Sequence, residues 1–171
     1  MKGYIQIYTG EGKGKTTAAL GLAIRTVGAG GKVFIGQFLK SGNYSEMRVL
    51  KKFIPQITVE HYGLGRFVKG YPDIEDIEAG IKGYKRVAQI IKKGDYDLVI
   101  LDEGNIAVKY NIFSEEDMLD IFEKKPDHME IVVTGRGATQ AVIDRADMVV
   151  EMKAIKHYFD KGVKARIGIE K

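Results

Sequence analysis

The chain has 171 residues, 44% of them hydrophobic, which is enough for one well-buried core and short for two, so residues 1–171 are expected to form a single domain. It has no cysteine, which excludes a disulfide framework and thiolate metal sites and agrees with a reducing cytoplasm. Lys and Arg number 27 against 23 acidic residues, a formal charge of +4 with no long basic run, so the excess suits small anions as well as it would a nucleic acid. Residues 1–10 are too short and polar for a signal peptide, and no apolar run approaches the ~18 residues of a membrane span. The expectation is a cytoplasmic protein with no nucleic-acid or membrane partner.

In chain order, strands are predicted at 4–8, 32–38, 57–62, 97–101, 130–134 and 147–152, each rich in Val, Ile or Tyr and several almost continuously apolar. Continuous apolar runs fit strands covered on both faces. Helical spacing of apolar residues occupies 16–29, 74–93 and 139–146, with glycines at 28, 30, 31 and 94 as stops. The alternation predicts an α/β fold around a mainly parallel sheet of about six strands. Stretches 39–48 and 63–73 fit neither pattern and read as ligand-contacting loops after strands.

The first βα junction carries chemistry. YTGEGKGKTT, residues 8–17, resembles the phosphate-binding pattern G-x-x-x-x-G-K-[ST], except that Thr9 stands where the first glycine belongs. Gly10, Gly12 and Gly14 let backbone N–H groups converge on an anion, with Glu11 and Lys13 between them. The helix start adds about half a positive charge, Lys15 supplies a full one, and the Thr16 hydroxyl can ligate Mg²⁺, with Thr17 next in the turn. A chance Gly-rich turn is the competing reading. A second element weighs against it: DLVILDEGN runs four apolar residues into Asp102 and Glu103 at a strand end, as a Walker B segment does. Asp102 would hold Mg²⁺ directly or through water. Glu103 would complete the cation's shell or act as a base.

With these motifs placed, the chain resembles a known family. TGEGKGKTTAALGLAIRTVGAG, VFIGQFLKSG, DLVILDEGN, VVTGRGA and ADMVVEMKAIKHYFDKGVKARIGIE, in order from Tyr8 to Ile169, are similar to the P-loop ATP:corrinoid adenosyltransferases, also called cob(I)alamin adenosyltransferases. The loop form with Thr9 and the C-terminal stretch 156–169 are its most distinguishing parts. The resemblance implies a P-loop NTPase-like (RecA-like) three-layer fold. It also implies an enzyme that transfers the adenosyl group of ATP to the Co(I) of a reduced corrinoid, cobalamin or a precursor, releasing triphosphate. It implies ATP lying in the loop in the reverse of the usual direction, an electron donor for cobalt, and commonly a homodimer. Lys15 and Glu103 become the catalytic candidates. Residues Thr9, Gly10, Glu11, Gly12, Lys13, Gly14, Lys15, Thr16, Thr17 and Arg136 become the ATP contacts, and Thr16, Asp102 and Glu103 the Mg²⁺ ligands.

Three departures stand out. The family's aromatic loop, which strips the axial cobalt ligand, here reads GLGRFVK, with no Trp in the chain and Arg66 in place of the first aromatic. Phe67, one place late, is the candidate corrinoid contact, against simple core packing. Some relatives carry an N-terminal helix over the site, whereas this chain begins nine residues before Gly10, so the lid is expected to be absent or replaced. Gly104 stands where relatives usually have a larger apolar residue, an expected matter of packing.

Arg136, in TGRG after a strand, suits phosphate because its planar fork matches phosphate oxygens; a surface or capping role competes. Lys40 and Asn43 could face nucleotide or corrin amides, against a solvated loop. His157 reads as structural, since a tightly held axial imidazole would oppose Co(I). The rival functions are a small P-loop kinase or ATPase acting at the γ-phosphate and a RecA-like nucleotide switch; the latter calls for a basic or aromatic stripe that the sequence lacks.

Overall fold

The computed structural model describes residues 2–40, 44–64 and 70–170. Its core is a six-stranded sheet built from β1 (Ile5–Thr9), β2 (Val33–Phe38), β3 (Ile57–Tyr62), β4 (Leu98–Asp102), β5 (Glu130–Thr134) and β6 (Met148–Glu151). The strand order is β3-β2-β4-β5-β1-β6 and every pairing is parallel. All of β2 and β4 is buried, which explains their unbroken apolar runs.

Helices cover both faces. On one, α1 (Lys15–Gly28) and α2 (Ser45–Phe53) pack Ala19, Leu20, Ala23, Met47 and Leu50 against Ile35, Ile100 and Val132 of the sheet. On the other, α3 (Ile74–Lys93), α4 (Gly104–Lys109), α5 (Glu115–Glu123) and α6 (Gln140–Arg145) cover Phe34, Phe38, Leu101 and Val133. This is the three-layer α/β arrangement of P-loop NTPases. Close approach of α3 to the sheet depends on Gly83, where a Cβ would lie 2.3 Å from the Tyr62 ring. The chain ends in a short 3₁₀ helix (Tyr158–Lys161) followed by a non-helical stretch. No helix among the described residues is long and apolar enough to cross a membrane.

The strands and the three helices predicted from the sequence match within a residue or so, and Gly94 stops α3 in a left-handed conformation at φ 75°. Three helices were not foreseen. Residues 45–48 open α2 where a loop was expected, with Met47 and Leu50 supplying an inward stripe. The short α4 turns directly off Glu103. Helix α5 begins with a reciprocal capping box between Ser114 and Asp117, the S-x-x-D signal by which it could have been found.

From β1 the chain moves past β5 and β4 to β2 and β3 with α1 and α2 on one face, then returns through α3 on the other face to β4, β5 and β6, so the neighbours β1 and β5 send their chains to opposite faces at their C-terminal ends. Ligands bind at such switch points in open α/β sheets.

Candidate active site

The turn after β1 is shaped by a neighbour as well as by any anion. Gly10 and Gly14 take φ of 93° and 121°, conformations that favour glycine. The backbone of Met152, just past β6, crosses the turn so closely that a Cβ on Gly10 would lie 2.5 Å from its carbonyl oxygen, and one on Gly12 2.7 Å. Two hydrogen bonds seal the crossing: Met152 N–H donates to Thr9 O at 2.8 Å, and Gly12 N–H to Met152 O at 2.6 Å. Gly14 then caps α1, leaving the first turn of the helix open toward solvent.

Lys15 curls back over this turn and donates to Gly10 O at 2.6 Å and Gly12 O at 2.8 Å. Only 8% of the residue is exposed, and burial pulls its ammonium below the usual lysine value. The side chain thus faces the centre of the loop, and among the described residues it gives up no ion pair to leave its carbonyl partners.

Beside it, Asp102 ends β4 fully buried and accepts from four donors. Thr134 Oγ1 and Thr16 Oγ1 donate to Oδ1 at 2.7 and 2.8 Å; Lys40 Nζ and Gln37 Nε2 donate to Oδ2 at 2.6 and 2.8 Å. Burial would raise its carboxyl, but the Lys40 ammonium and these hydrogen bonds prevail and hold it below the ordinary value. For Lys40 the balance is the mirror image: burial depresses the ammonium, Asp102 and Glu103 outweigh it, and the net displacement is upward. Glu103 adopts a left-handed φ of 59°, with its N–H donating to Thr134 Oγ1, and this turns its side chain toward Lys40 at 3.6 Å. Burial raises its carboxyl, partly offset by Lys40.

These displacements have a definite sign. The folded chain holds the Asp102 proton less tightly than the unfolded chain, so the stability this carboxylate contributes is complete above pH 3.8 and is lost as pH falls through its lower folded value. Lys40, raised above 10.5, contributes fully below that pH and loses its contribution as pH rises through its folded value. In urea unfolding across pH, the loss at the alkaline end that Lys40 causes should therefore be absent in Lys40→Met, while the acid-end contribution of Asp102 should shrink because its ammonium partner is gone.

Gly104 follows immediately. A Cβ there would lie 2.8 Å from Val133 Cγ1 and 3.0 Å from Leu101 Cβ, so a larger side chain has no room on this backbone. Gly104→Val is expected to destabilise by about 1–3 kcal/mol in urea unfolding, because α4 must shift off β5.

A cleft of about 860 Å³ lies over the loop, in the range of small-ligand sites. Glu11, Gly12, Lys13, Gly14, Lys15, Thr16 and Thr17 form its floor, with Lys40, Glu103 and Arg136 at one side. Thr9 and Gly10 lie outside the lining; Thr9 Oγ1 accepts from Ala138 N–H at 3.4 Å. Asp102 sits behind Thr16. Arg136 is half-exposed and paired with Glu11 at 2.9 Å. The Phe67, Arg66 and Asn43 expectations lie outside the described residues.

The sequence reading missed the apolar wall, formed by Leu20 and Ile24 of α1 and Tyr44 and Val49 at α2. It also set aside His157, which lines the cleft and accepts the Phe159 N–H on Nδ1 at 3.0 Å. Gly168, Ile169 and Glu170 close the far side. Lys13 ties this C-terminal stretch to the loop, reaching Tyr158 Oη and Glu170 Oε1 at 3.0 Å each. No helical pattern marks these tail positions, so only their motif could have pointed to the site.

Comparison with known sequences identifies a family and several relatives. The chain matches the family described as "ATP:corrinoid adenosyltransferase BtuR/CobO/CobP" over residues 1–170. It is 34% identical over 170 residues to the corrinoid adenosyltransferase of Pseudomonas aeruginosa, covering 99% of this chain and 84% of that one. It is also 34% identical over 171 residues to that of Escherichia coli K12, covering 99% and 86%. The corrinoid adenosyltransferase of a Sinorhizobium species is 33% identical over 173 residues, covering 99% and 80%.

Proposed function

As the chain belongs to the ATP:corrinoid adenosyltransferase family, we propose that it transfers the 5′-deoxyadenosyl group of ATP to the Co(I) centre of a reduced corrinoid and releases inorganic triphosphate. The observation that carries this reading is the makeup of the cleft. A phosphate loop and a buried acidic strand end form one side, and the C-terminal stretch with His157 and Gly168 to Glu170 forms the other. A γ-phosphate kinase or ATPase has no need of that second side.

The reaction is a displacement at carbon. An electron pair on cobalt forms a bond to C5′, the C5′–O bond breaks, and its electron pair leaves with the triphosphate. No proton moves and no water needs activation, so the protein's contribution is to hold the leaving group and present C5′. Lys15 is placed to trade its two carbonyl partners for phosphate oxygens and to stabilise charge developing on the α-phosphate. The free N–H groups at the start of α1, with Thr16 and Thr17, add donors, and Arg136 adds a second cation at the rim. In the reversed placement, the γ-phosphate lies where an α-phosphate usually sits, leaving C5′ outward for the corrinoid.

The donor set suits a magnesium ion shared with nucleotide. Thr16, Asp102 and Glu103 offer hard oxygens on one side, while no group of three or more His, Asp or Glu among the described residues could form a metal centre by itself. Such an ion supplies charge neutralisation to the leaving triphosphate. The reading also carries a homodimer, an electron donor that brings cobalt to Co(I), Phe67 as a corrin contact, and a cytoplasmic setting.

The test is anaerobic turnover with Mg-ATP and chemically reduced cob(I)alamin. Loss of the Co(I) spectrum with formation of a light-sensitive adenosylated corrinoid supports the reading. An unchanged Co(I) spectrum at high enzyme concentration contradicts it.

A further inference from the structure

Among the described residues, the most unusual feature of the site is what lies between its oxygen ligands. Lys40 Nζ is 2.6 Å from Asp102 Oδ2, 2.9 Å from Thr16 Oγ1 and 3.6 Å from Glu103 Oε1. These are the three groups assigned above to the magnesium ion. A Mg²⁺ ligand lies about 2.0–2.1 Å from the metal. An ion bound directly to Thr16 and Asp102 would therefore stand almost against the ammonium, with like charges in a site that screens them poorly.

The backbone holds Lys40 there deliberately. Leu39, the residue before it, has a left-handed φ of 55°, a conformation costly for a leucine and retained only where the surroundings impose it. Its N–H donates to Tyr62 O at 3.2 Å. On the other side, Gly63 packs so tightly that a Cβ would lie 2.8 Å from Lys40 N and 2.7 Å from Lys40 O. The turn after β2 is thus clamped to the end of β3, and its lysine is aimed inward, 14% exposed.

We propose that Lys40 is a tethered cation that occupies the metal position of the nucleotide-free protein and is displaced when metal and nucleotide bind together. The proposal rests on the assignment of Thr16, Asp102 and Glu103 as metal ligands. Lys40 neutralises a carboxylate pair that would otherwise be buried with excess negative charge. It also makes metal binding conditional. A divalent ion alone must displace a largely buried ammonium, whereas an ion arriving with triphosphate brings anionic oxygens that Lys40, on the cleft wall, can take as new partners. Metal and nucleotide then reinforce one another by a common linkage.

The proposal is tested by Mn²⁺ binding to nucleotide-free protein, followed by electron paramagnetic resonance. Lys40→Met and Lys40→Gln, the second retaining a hydrogen-bond donor without charge, are each expected to bind Mn²⁺ at least about tenfold more tightly than wild type. A smaller gain, no change or weaker binding in the folded variants overturns the proposal. The metal assignment itself survives that result if wild type still binds Mn²⁺ in the presence of ATP. Absence of Mn²⁺ binding to any of the proteins, with or without ATP, overturns both. If neither variant folds, wild type decides: saturating Mg²⁺ with ATP must shift the ammonium resonance of ¹⁵N-labelled Lys40, and an unmoved resonance refutes displacement.

Discussion

Asp102→Ala is expected to destabilise the protein by about 3–5 kcal/mol, the range for removing one partner of a buried ion pair. The carboxylate is 1% exposed and takes hydrogen bonds from Gln37, Lys40, Thr16 and Thr134, so truncation leaves a buried ammonium and three polar donors without their acceptor. Chemical unfolding without nucleotide measures this directly. Asp102→Asn is expected to cost less, because its oxygen still accepts, although it cannot offset the Lys40 charge. Addition of Lys40→Met to Asp102→Ala should recover part of the loss, since the orphaned charge then disappears as well. A strictly additive double variant would show that the pair contributes no coupling energy.

Lys15→Ala is expected to behave in the opposite way. Adenosyl transfer should fall about 10²–10³-fold or more in kcat, the range for removing one preorganised donor to a developing oxyanion. Stability should fall by about 1.5–3 kcal/mol at most, less than for Asp102→Ala, because among the described residues Lys15 donates to the backbone carbonyls of Gly10 and Gly12 and to no carboxylate. A large stability loss with unchanged kcat would reverse its assignment and make the lysine a clamp for the loop. Unfolding and single-turnover rates on the same protein separate the two.

The contrast follows from how each side chain is held, and that was only partly legible in the sequence. The sheet was readable because β2, β4 and β5 are apolar runs between turn signals. The loop and the Asp102–Glu103 pair were readable because they match motifs defined by residue type and spacing at strand ends. Lys40 was read as facing nucleotide, corrin or solvent. Its role on Asp102 depends on β2 lying beside β4, a strand order that the alternation of elements does not specify. Gly104 and the glycines at 10 and 12 carry a similar lesson. The first was expected to be a simple packing difference and the others phosphate-binding residues, yet each also sits where a neighbouring chain leaves no space for a Cβ. The apolar wall at α2 escaped notice because nine residues with two buried positions give a weak periodic signal beside a loop.

The central claim is that the cleft holds ATP by its triphosphate so that bond cleavage occurs at C5′. The measurement that tests it most directly is ³¹P NMR of the phosphate product from anaerobic turnover with cob(I)alamin. Intact inorganic triphosphate, formed one for one with the adenosylated corrinoid and suppressed in Lys15→Ala, is the predicted result. ADP and orthophosphate in place of triphosphate, with the corrinoid left unadenosylated, would contradict it and place the chemistry at the γ-phosphate.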